Sequence, residues 1–428
     1  MSQGIYISVP FCRTKCSFCN FASGVFSRGI FDSYVAQVCS DIASPQAIAR
    51  ELGGLLEPSV DSVYLGGGTP SVLAPDQMER IFRALRDTFD IDRAAEITVE
   101  CAPGTIGDEM LQTLLRCGVN RVSLGVQSFV DQECSSVGRL HTRAVTLADI
   151  ARLRSAGIGN IGIDLIAGLP HQTEESWSFS LAETLGTGVP HVSVYMLEVD
   201  EDSRLGNELL AGGSRYHAHF VPDDDLTADL YLAACERLEK GGVQQYEISN
   251  FARPVTHGIG LWHSRHNLKY WTRQPYMGFG VDAHSMLPAA PDLKAKGVEA
   301  VRFATPDSLE AYQQLSVVGC QLSDDGGIGG RIRQLKSSRT LVDRQAALEE
   351  LLFLGLRLNR GVSLDELCGR FGEKPIGDDM PVIAELVDAD LLEVDGDRLR
   401  LTPRGRLLSN EVFARFLRQP CVAPEGAQ

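Results

Sequence analysis

The chain reads as an α/β protein: an open parallel (β/α)6 partial barrel, then a mixed region, then a mostly helical C-terminal module. Three observations predict this. Six short β-rich runs alternate with longer helical patterns over the first 200 residues. The runs are nearly continuous in apolar residues, as in parallel strands covered on both faces by helices. Beyond residue 300 the rhythm changes to a succession of helices closed by one hairpin.

The strand candidates are residues 5–9, 60–65, 96–100, 121–126, 161–166 and 192–197. Amphipathic segments lie between them, such as 75–89, with Met78, Ile81, Phe82 and Leu85 at helical spacing, and 144–156. Successive β/α units of this kind close toward a barrel, here assigned to residues 1–200. Residues 201–300 are irregular and rich in Gly, His and aromatics, with one helix near 225–240 and a solvent-exposed connection over 287–296. This region is expected to complete the core. Residues 301–420 hold helices at 344–358, 363–371 and 380–389, a hairpin over 391–402 turning at Asp395-Gly396-Asp397, and a helix from Pro403. That order is winged-helix-like. Asp378, Asp379 and Glu385 on the segment that would read DNA favour packing or a partner instead. Residues 421–428 read as a tail.

With 428 residues, 44% apolar and 22% charged, the chain is long enough for two or three domains with ordinary cores. No run of 18 apolar residues predicts a membrane span, and no secretory leader is visible. Eleven cysteines, an odd number, point to a reducing compartment, and the cytoplasm is expected. A formal charge of −16 without a local basic cluster disfavours nucleic acid.

The chemistry starts at Cys12, Cys16 and Cys19, a C-x3-C-x2-C run directly after the first strand. Three thiols on one short loop can face a single metal centre. A cubane [4Fe–4S] cluster normally takes four thiolates, so three leave one iron open, as a catalytic zinc keeps one position vacant. A zinc knuckle is the rival, but it needs a fourth Cys or His nearby, and the next histidine is His141. Cys39, Cys101, Cys117, Cys134, Cys235, Cys320, Cys368 and Cys421 show no ligand spacing and read mostly as small core residues. In α/β barrels the chemistry gathers at the carboxyl ends of the strands. There lie Gly66-Gly67-Gly68-Thr69-Pro70, Glu100, Gln127, Asp164, Tyr195 and Met196. Asp164, set inside an apolar strand, requires a ligand or a cationic partner.

The cysteine spacing resembles that of radical S-adenosylmethionine (SAM) proteins. The chain is similar to the group containing oxygen-independent coproporphyrinogen III oxidase and the HemW-type heme chaperones. The matching segments are 6–12 (YISVPFC), 66–71 (GGGTPS), 100–105 (ECAPGT), 123–129 (SLGVQSF), 163–170 (IDLIAGLP), 246–252 (YEISNFA), 266–271 (HNLKYW) and 276–285 (YMGFGVDAHS). The resemblance implies a radical-SAM partial barrel, with Cys12, Cys16 and Cys19 holding a [4Fe–4S] cluster. It implies SAM contacts from Tyr6, Phe18, Gly67, Gly68, Thr69, Glu100, Gln127, Arg139 and Asp164. Phe18, Asn20 and Ala102 depart from the group's commoner Tyr, Asp and Asn.

Two departures separate the branches. The oxidase resembles C-x3-C-x2-C-x-C, and Phe21 stands at the fourth position here; the oxidase also carries a longer segment before its cysteines. Both favour the chaperone branch, as does the HN-x-x-YW match. This implies heme bound by His266 with Tyr270 and Trp271 as a stacking surface, with His257, His263 and His284 as substitutes. The expected function is a heme chaperone delivering to acceptor hemoproteins such as membrane-bound respiratory enzymes. Homodimerisation is left open, and so is reductive cleavage of SAM. Coproporphyrinogen III oxidation is not expected. The alternatives are an enzyme acting on a porphyrinogen and a radical SAM methyltransferase.

Overall fold

The computed structural model describes residues 2–254, 262–320, 332 and 335–418. His257, Cys421 and the tail at 421–428 lie outside the described residues. Six parallel strands open the fold: β1 Gln3–Val9, β2 Ser59–Gly67, β3 Asp90–Cys101, β4 Arg121–Gln127, β5 Asn160–Ala167 and β6 His191–Met196. Each pairs in parallel with the next. The strands expected from the sequence are found with modest changes at their ends, and β3 begins earlier than expected, at Asp90.

The strands are not apolar on both faces. Ile5, Ile7, Val63, Leu65, Ile97, Val99, Val122, Leu124, Ile161 and Ile163 enter the main hydrophobic core with the crossover helices. Alternate residues on the opposite face are polar and meet one another: Tyr64 bonds Glu100, Ser123 bonds Asp164, and Tyr6 lies against Tyr64. The period of two along a strand makes this division. A barrel open at one end tolerates a polar lining, because those groups find partners across neighbouring strands. The crossover helix Pro75–Thr88 buries Met78, Ile81, Phe82 and Leu85 as its spacing requires. Pro75 opens its first turn and the Gln77 side chain accepts the Ala74 N–H at 3.0 Å.

The later region holds more sheet than its sequence suggests. It contributes β7 Gln244–Gln245, β8 Asn250–Ala252, β9 Tyr276–Phe279, β10 His284–Pro288, β11 Val298–Ala304 and β12 Thr340–Asp343. β9 runs parallel to β1, and β10, β11 and β12 continue that edge antiparallel. On the other edge β8 is antiparallel to β6. Among the described residues one sheet of 12 strands results, in the order β12-β11-β10-β9-β1-β2-β3-β4-β5-β6-β8-β7. The stretch 287–296 is therefore only partly an exposed connection: Leu287 and Ala289 are buried at the sheet edge before a short helix, Pro291–Lys294.

The C-terminal module has helices Arg344–Gly355, Leu364–Phe371 and Glu373–Asp388, and a small sheet of β13 Val362–Ser363, β14 Leu392–Asp395 and β15 Arg398–Leu401. The hairpin is the expected one, and β13 adds a third strand beside β15. Leu348, Leu352, Ile383, Leu386 and Leu399 form its core. The acidic helix is paired within the chain: Asp379 with Arg418 at 2.9 Å, and Glu385 with Arg415. No helix among the described residues is long and apolar enough to cross a membrane.

The module is joined to the sheet through the helix Arg265–Trp271 and the residues after it. Arg357 lies 4.2 Å from the Trp271 ring centroid, and buried Glu350 takes Arg273 and, at 3.1 Å, Arg302. Removing one partner of a buried pair leaves an uncompensated charge. Glu350→Ala is expected to lower the unfolding free energy by about 3–5 kcal/mol in urea denaturation; an effect within ~0.5 kcal/mol would show that this joint contributes nothing.

Candidate functional site

The cysteine loop leaves β1 at Pro10. Phe11 anchors its start, fully buried and stacked on Phe31 with ring centroids 3.8 Å apart. The Cys12 N–H bonds the Gly24 carbonyl at 2.9 Å and the Gly24 N–H bonds Pro10 at 2.9 Å, closing the loop on itself. The Ser17 N–H reaches Val137 after β4, and the Leu205 N–H reaches the Ser17 carbonyl. The loop is thus framed before any ligand binds. Cys16 is buried, while Cys12 and Cys19 are half-buried. Burial pushes the Cys12 and Cys16 thiols up, and nearby Arg139 partly offsets this. Thiols in that state give up protons when a metal takes them as thiolates.

The glycine run after β2 lies directly against this loop. The Gly68 N–H bonds the Val9 carbonyl and the Thr69 N–H bonds the Phe11 carbonyl, each at 2.8 Å. Gly67 has φ +104°, a conformation that a side chain would strain. A Cβ on Gly68 would stand 2.7 Å from the Phe11 oxygen and 3.0 Å from the Cys12 sulfur. Thr69 Oγ1 approaches that sulfur to 3.9 Å. Glu100 accepts the Gly67 N–H at 3.2 Å and the Tyr64 hydroxyl at 2.7 Å. Burial nonetheless pushes its carboxyl up to about 7, helped by Asp164 and opposed by those two bonds. Tyr6, Ser8, Phe21, Gly67, Glu100 and Asp282 line a cavity at this mouth.

Across the barrel, Gln127 is buried at the end of β4 with φ +68°, unusual for a residue with a side chain. Arg139 has a buried Nε without a hydrogen-bond partner. Asp164 accepts from Ser123 Oγ at 3.1 and 3.2 Å; burial raises its pKa while Ser193 and Ser123 counter it. Hydroxyls are thus the hydrogen-bond partners of this carboxylate, and Arg121 and Arg139 are the cations that favour its charged form. Phe18 packs on Val137, Ile166 and Leu169.

Three thiols on a braced loop, a glycine cradle with no room for a Cβ, two half-buried carboxyls and an orphaned arginine nitrogen suit a three-thiolate cluster and a zwitterionic ligand that also carries a cationic sulfur. Cys12, Cys16, Cys19, Tyr6, Gly67, Gly68, Thr69, Glu100, Gln127, Arg139 and Asp164 all fall at this end of the barrel. Tyr64, Ser8 and Asp282 were not singled out from the sequence. Tyr64 lies two positions before Gly66, on the same face of β2, and the strand period could have found it.

The structure places His266 on the helix Arg265–Trp271, outside the barrel strands, where it is 1% exposed and tilted against Tyr6 and Tyr64. Its Nδ1 lies 3.1 Å from Ser62 Oγ and its Nε2 2.9 Å from the Tyr270 hydroxyl, so both ring nitrogens are engaged. Burial, with Lys269 nearby, holds the imidazole down to about 3, and it is neutral. Tyr270 meets Tyr276 edge-on and Trp271 lies under Arg357. As folded, the three side chains close the floor and hold the C-terminal module.

Glu100 gives this site a pH signature. In the fold its carboxyl keeps its proton up to about 7, against an ordinary value of 4.5. Over that window the native state binds a proton that the unfolded chain has released, so stability falls as pH rises. Glu100→Gln removes the dependence. The stability difference, variant minus wild type, is expected to grow from about pH 4.5 to about 7 and then level off in urea titrations of the cofactor-free chain. A difference independent of pH would place the Glu100 carboxylate in water.

Residues 6–181 match the radical SAM superfamily and residues 342–408 the HemN C-terminal domain. The chain is 30% identical over 415 residues to "Heme chaperone HemW" of Lactococcus lactis, covering 96% of each protein. It is 29% identical over 419 residues to the Bacillus subtilis protein of the same name, covering 97% of this chain and 99% of that one. Among solved structures, coproporphyrinogen III oxidase (HemN) from Escherichia coli, described as a radical SAM enzyme, aligns with a TM-score of 0.75. That alignment covers 97% of this chain and 90% of the other at 22% identity, a likeness of fold. Similarity of this extent to HemW proteins, over a barrel with three cysteines at its mouth, places the chain in the HemW family of radical SAM proteins.

Proposed function

We propose that this protein is a heme chaperone that carries a [4Fe–4S] cluster on Cys12, Cys16 and Cys19, binds SAM beside it, and passes heme to acceptor hemoproteins such as membrane-bound respiratory enzymes. The observation that carries the reading is the near full-length likeness to proteins named heme chaperones, in a chain whose three-thiol loop is braced to a glycine cradle. The cytoplasm is the compartment its free thiols suit.

Cys12, Cys16 and Cys19 would hold the cluster, and with three thiolates it would supply an iron site able to take a small chelating ligand such as SAM. The chain's own residues do the rest. Gly67, Gly68 and Thr69 bring backbone close to the methionyl group. Glu100 and Asp164 offer carboxyl oxygens as acceptors for its ammonium and for ribose hydroxyls, the cation drawing the proton from Glu100 on binding, and Arg139 and Gln127 offer donors. Tyr6 flanks the ligand from β1, and Phe18 backs the loop. Phe21, where the oxidase branch has a further cysteine, lies on the rim of the cavity and is 65% exposed. Heme contact through His266, Tyr270 and Trp271 requires the helix Arg265–Trp271 to leave its packed place, because both nitrogens of His266 are bonded.

Anaerobic reconstitution is expected to load about four irons per chain with broad visible absorption, lost in the Cys12/Cys16/Cys19→Ala variant. Zinc in protein purified without oxygen would refute the cluster. The function itself is tested by incubating the reconstituted protein with SAM, reductant and either heme or coproporphyrinogen III, then applying mass spectrometry. Stable heme uptake with coproporphyrinogen unchanged is the expected result. Decarboxylation to protoporphyrinogen, or a methylated product, would overturn the chaperone reading.

A further inference from the structure

Tyr64 stands between the mouth and the floor of the barrel. On β2 it is flanked by Tyr6 of β1 and Thr98 of β3, and its hydroxyl donates to Glu100 Oε1 at 2.7 Å. The other oxygen of that carboxyl accepts the Gly67 N–H at 3.2 Å. On the floor side, the Tyr64 ring centroid lies 5.4 Å from that of His266, with 30° between the planes. It lies 6.2 Å from Tyr6 at 28°, and Tyr6 closes the triangle at 6.3 Å from His266. Tyr6 and Glu100 also line the cavity at the mouth.

Two glycines make room for this arrangement. A Cβ on Gly66 would stand 2.9 Å from Tyr64 Cε1 and 3.0 Å from the Glu100 carboxyl carbon. A Cβ on Gly4 would stand 2.9 Å from Lys269 Cδ and 3.0 Å from His266 Cε1. Gly66 thus admits the Tyr64–Glu100 pair, and Gly4 admits the helix Arg265–Trp271 against β1. Desolvation and the neighbouring Glu100 push the Tyr64 phenol well up, so it stays protonated and donates. His266 engages Ser62 and Tyr270 with its two nitrogens. Contact therefore runs side chain to side chain from the glycine run through Glu100, Tyr64 and His266 to Tyr270.

We propose that Tyr64 is a positioning residue shared by the two ligand sites: its hydroxyl sets Glu100 for SAM, its ring holds His266 in the floor, and SAM and heme therefore oppose each other's binding. The proposal rests on the heme-carrier reading, with heme on the helix Arg265–Trp271, and names how the two sites are coupled. Heme reaches His266 when that helix leaves its packed place, since both ring nitrogens are bonded in the closed floor. Departure strips one wall from the Tyr64 and Tyr6 rings, and with it the support behind the Glu100 carboxyl. SAM, seated on Glu100 and Tyr6, favours the packed state; heme favours the released one. A ligand shifts such an equilibrium by its difference in affinity for the two states, and the coupling is the same in both directions.

The test uses the anaerobically reconstituted full-length protein with SAM and ferric protoporphyrin IX as probes. Heme affinity is read by Soret titration with and without saturating SAM, and SAM affinity by calorimetry with and without heme. Each ligand is expected to weaken the other by about fivefold or more, by one common factor. Without heme, SAM is expected to slow backbone hydrogen exchange in the helix Arg265–Trp271. Tyr64→Phe keeps the ring and removes the hydroxyl, and retained cluster absorption certifies its fold. It is expected to weaken SAM binding by about tenfold. At SAM concentrations that saturate the variant, both the exchange protection and the effect on heme are expected to disappear. A role in packing alone would lower stability and leave the coupling factor where it is. Equal heme affinity with and without SAM in the wild type, or full coupling in Tyr64→Phe, overturns the proposal while the heme-carrier reading stands. If the wild-type protein takes up no heme, both fall.

Discussion

At the carboxyl ends of β1 and β2 the hydrogen bonding of the sheet does not stop with the strands. It runs on through the Gly68 and Thr69 N–H groups to the Val9 and Phe11 carbonyls, and this short ladder sets the distance between the glycine run and the cysteine loop. A Cβ at position 68 would meet two carbonyl oxygens and the Cys12 sulfur within 3.0 Å, so the sequence there is dictated by approach. The ordering is done at folding, which lowers the entropy that a cluster or a small ligand must overcome on binding. The cysteine loop inherits its remaining supports from Val137 after β4 and from Leu205 beyond β6.

The polar lining of the barrel follows from the same strand geometry. Residues facing inward include Arg121, Glu96, Asp164, Glu100 and His191, and each is answered by another chain group. Arg121 donates to Asn160 and to the Trp262 carbonyl at 3.1 Å each, His191 Nε2 meets the Tyr246 hydroxyl at 3.0 Å, and the Ser264 N–H meets the same hydroxyl at 3.1 Å. The segment from Trp262 to Trp271 therefore completes the floor by supplying partners that the strands lack. Leaving those groups unpaired would cost roughly 1–3 kcal/mol each. With the floor closed by the chain itself, the mouth is the end at which a ligand can enter.

Much of this was legible in the sequence, for identifiable reasons. The six barrel strands are apolar on their outer face and β-branched, a local signal. The glycine run and the cysteine triplet are spacings, and spacing survives folding. β9 to β12 were not seen because each exists by pairing with the edge of β1 or with its neighbour, a tertiary fact, and β9, β10 and β12 are also short. The polar face of the strands was missed because Tyr64, Thr98 and Ser123 read as strand formers in a linear scan and only the fold reveals their common side. His266 shows the opposite case. Its motif was read as a heme ligand beside a stacking surface, and in the fold Ser62 and Tyr270, distant and near in sequence, engage its two nitrogens.

That placement separates two meanings of a motif. The residues from His266 to Trp271 are tied to Ser62, to Tyr276 and to Arg357, three elements of different origin, and a substitution among them disturbs the barrel floor and the C-terminal module together. Such a sequence is constrained whether or not it touches a ligand. A porphyrin demands something else: an imidazole nitrogen with a free lone pair, facing a space wide enough for a planar ring with charged edges. A side chain held at 1% exposure between Tyr6, Tyr64 and Tyr270 meets neither demand while the floor is closed. The rim of the barrel, where the cysteine loop is bonded to Val137 and Leu205 beside a cavity lined by Tyr6, Glu100 and Asp282, is the end a ligand reaches while the floor stays shut.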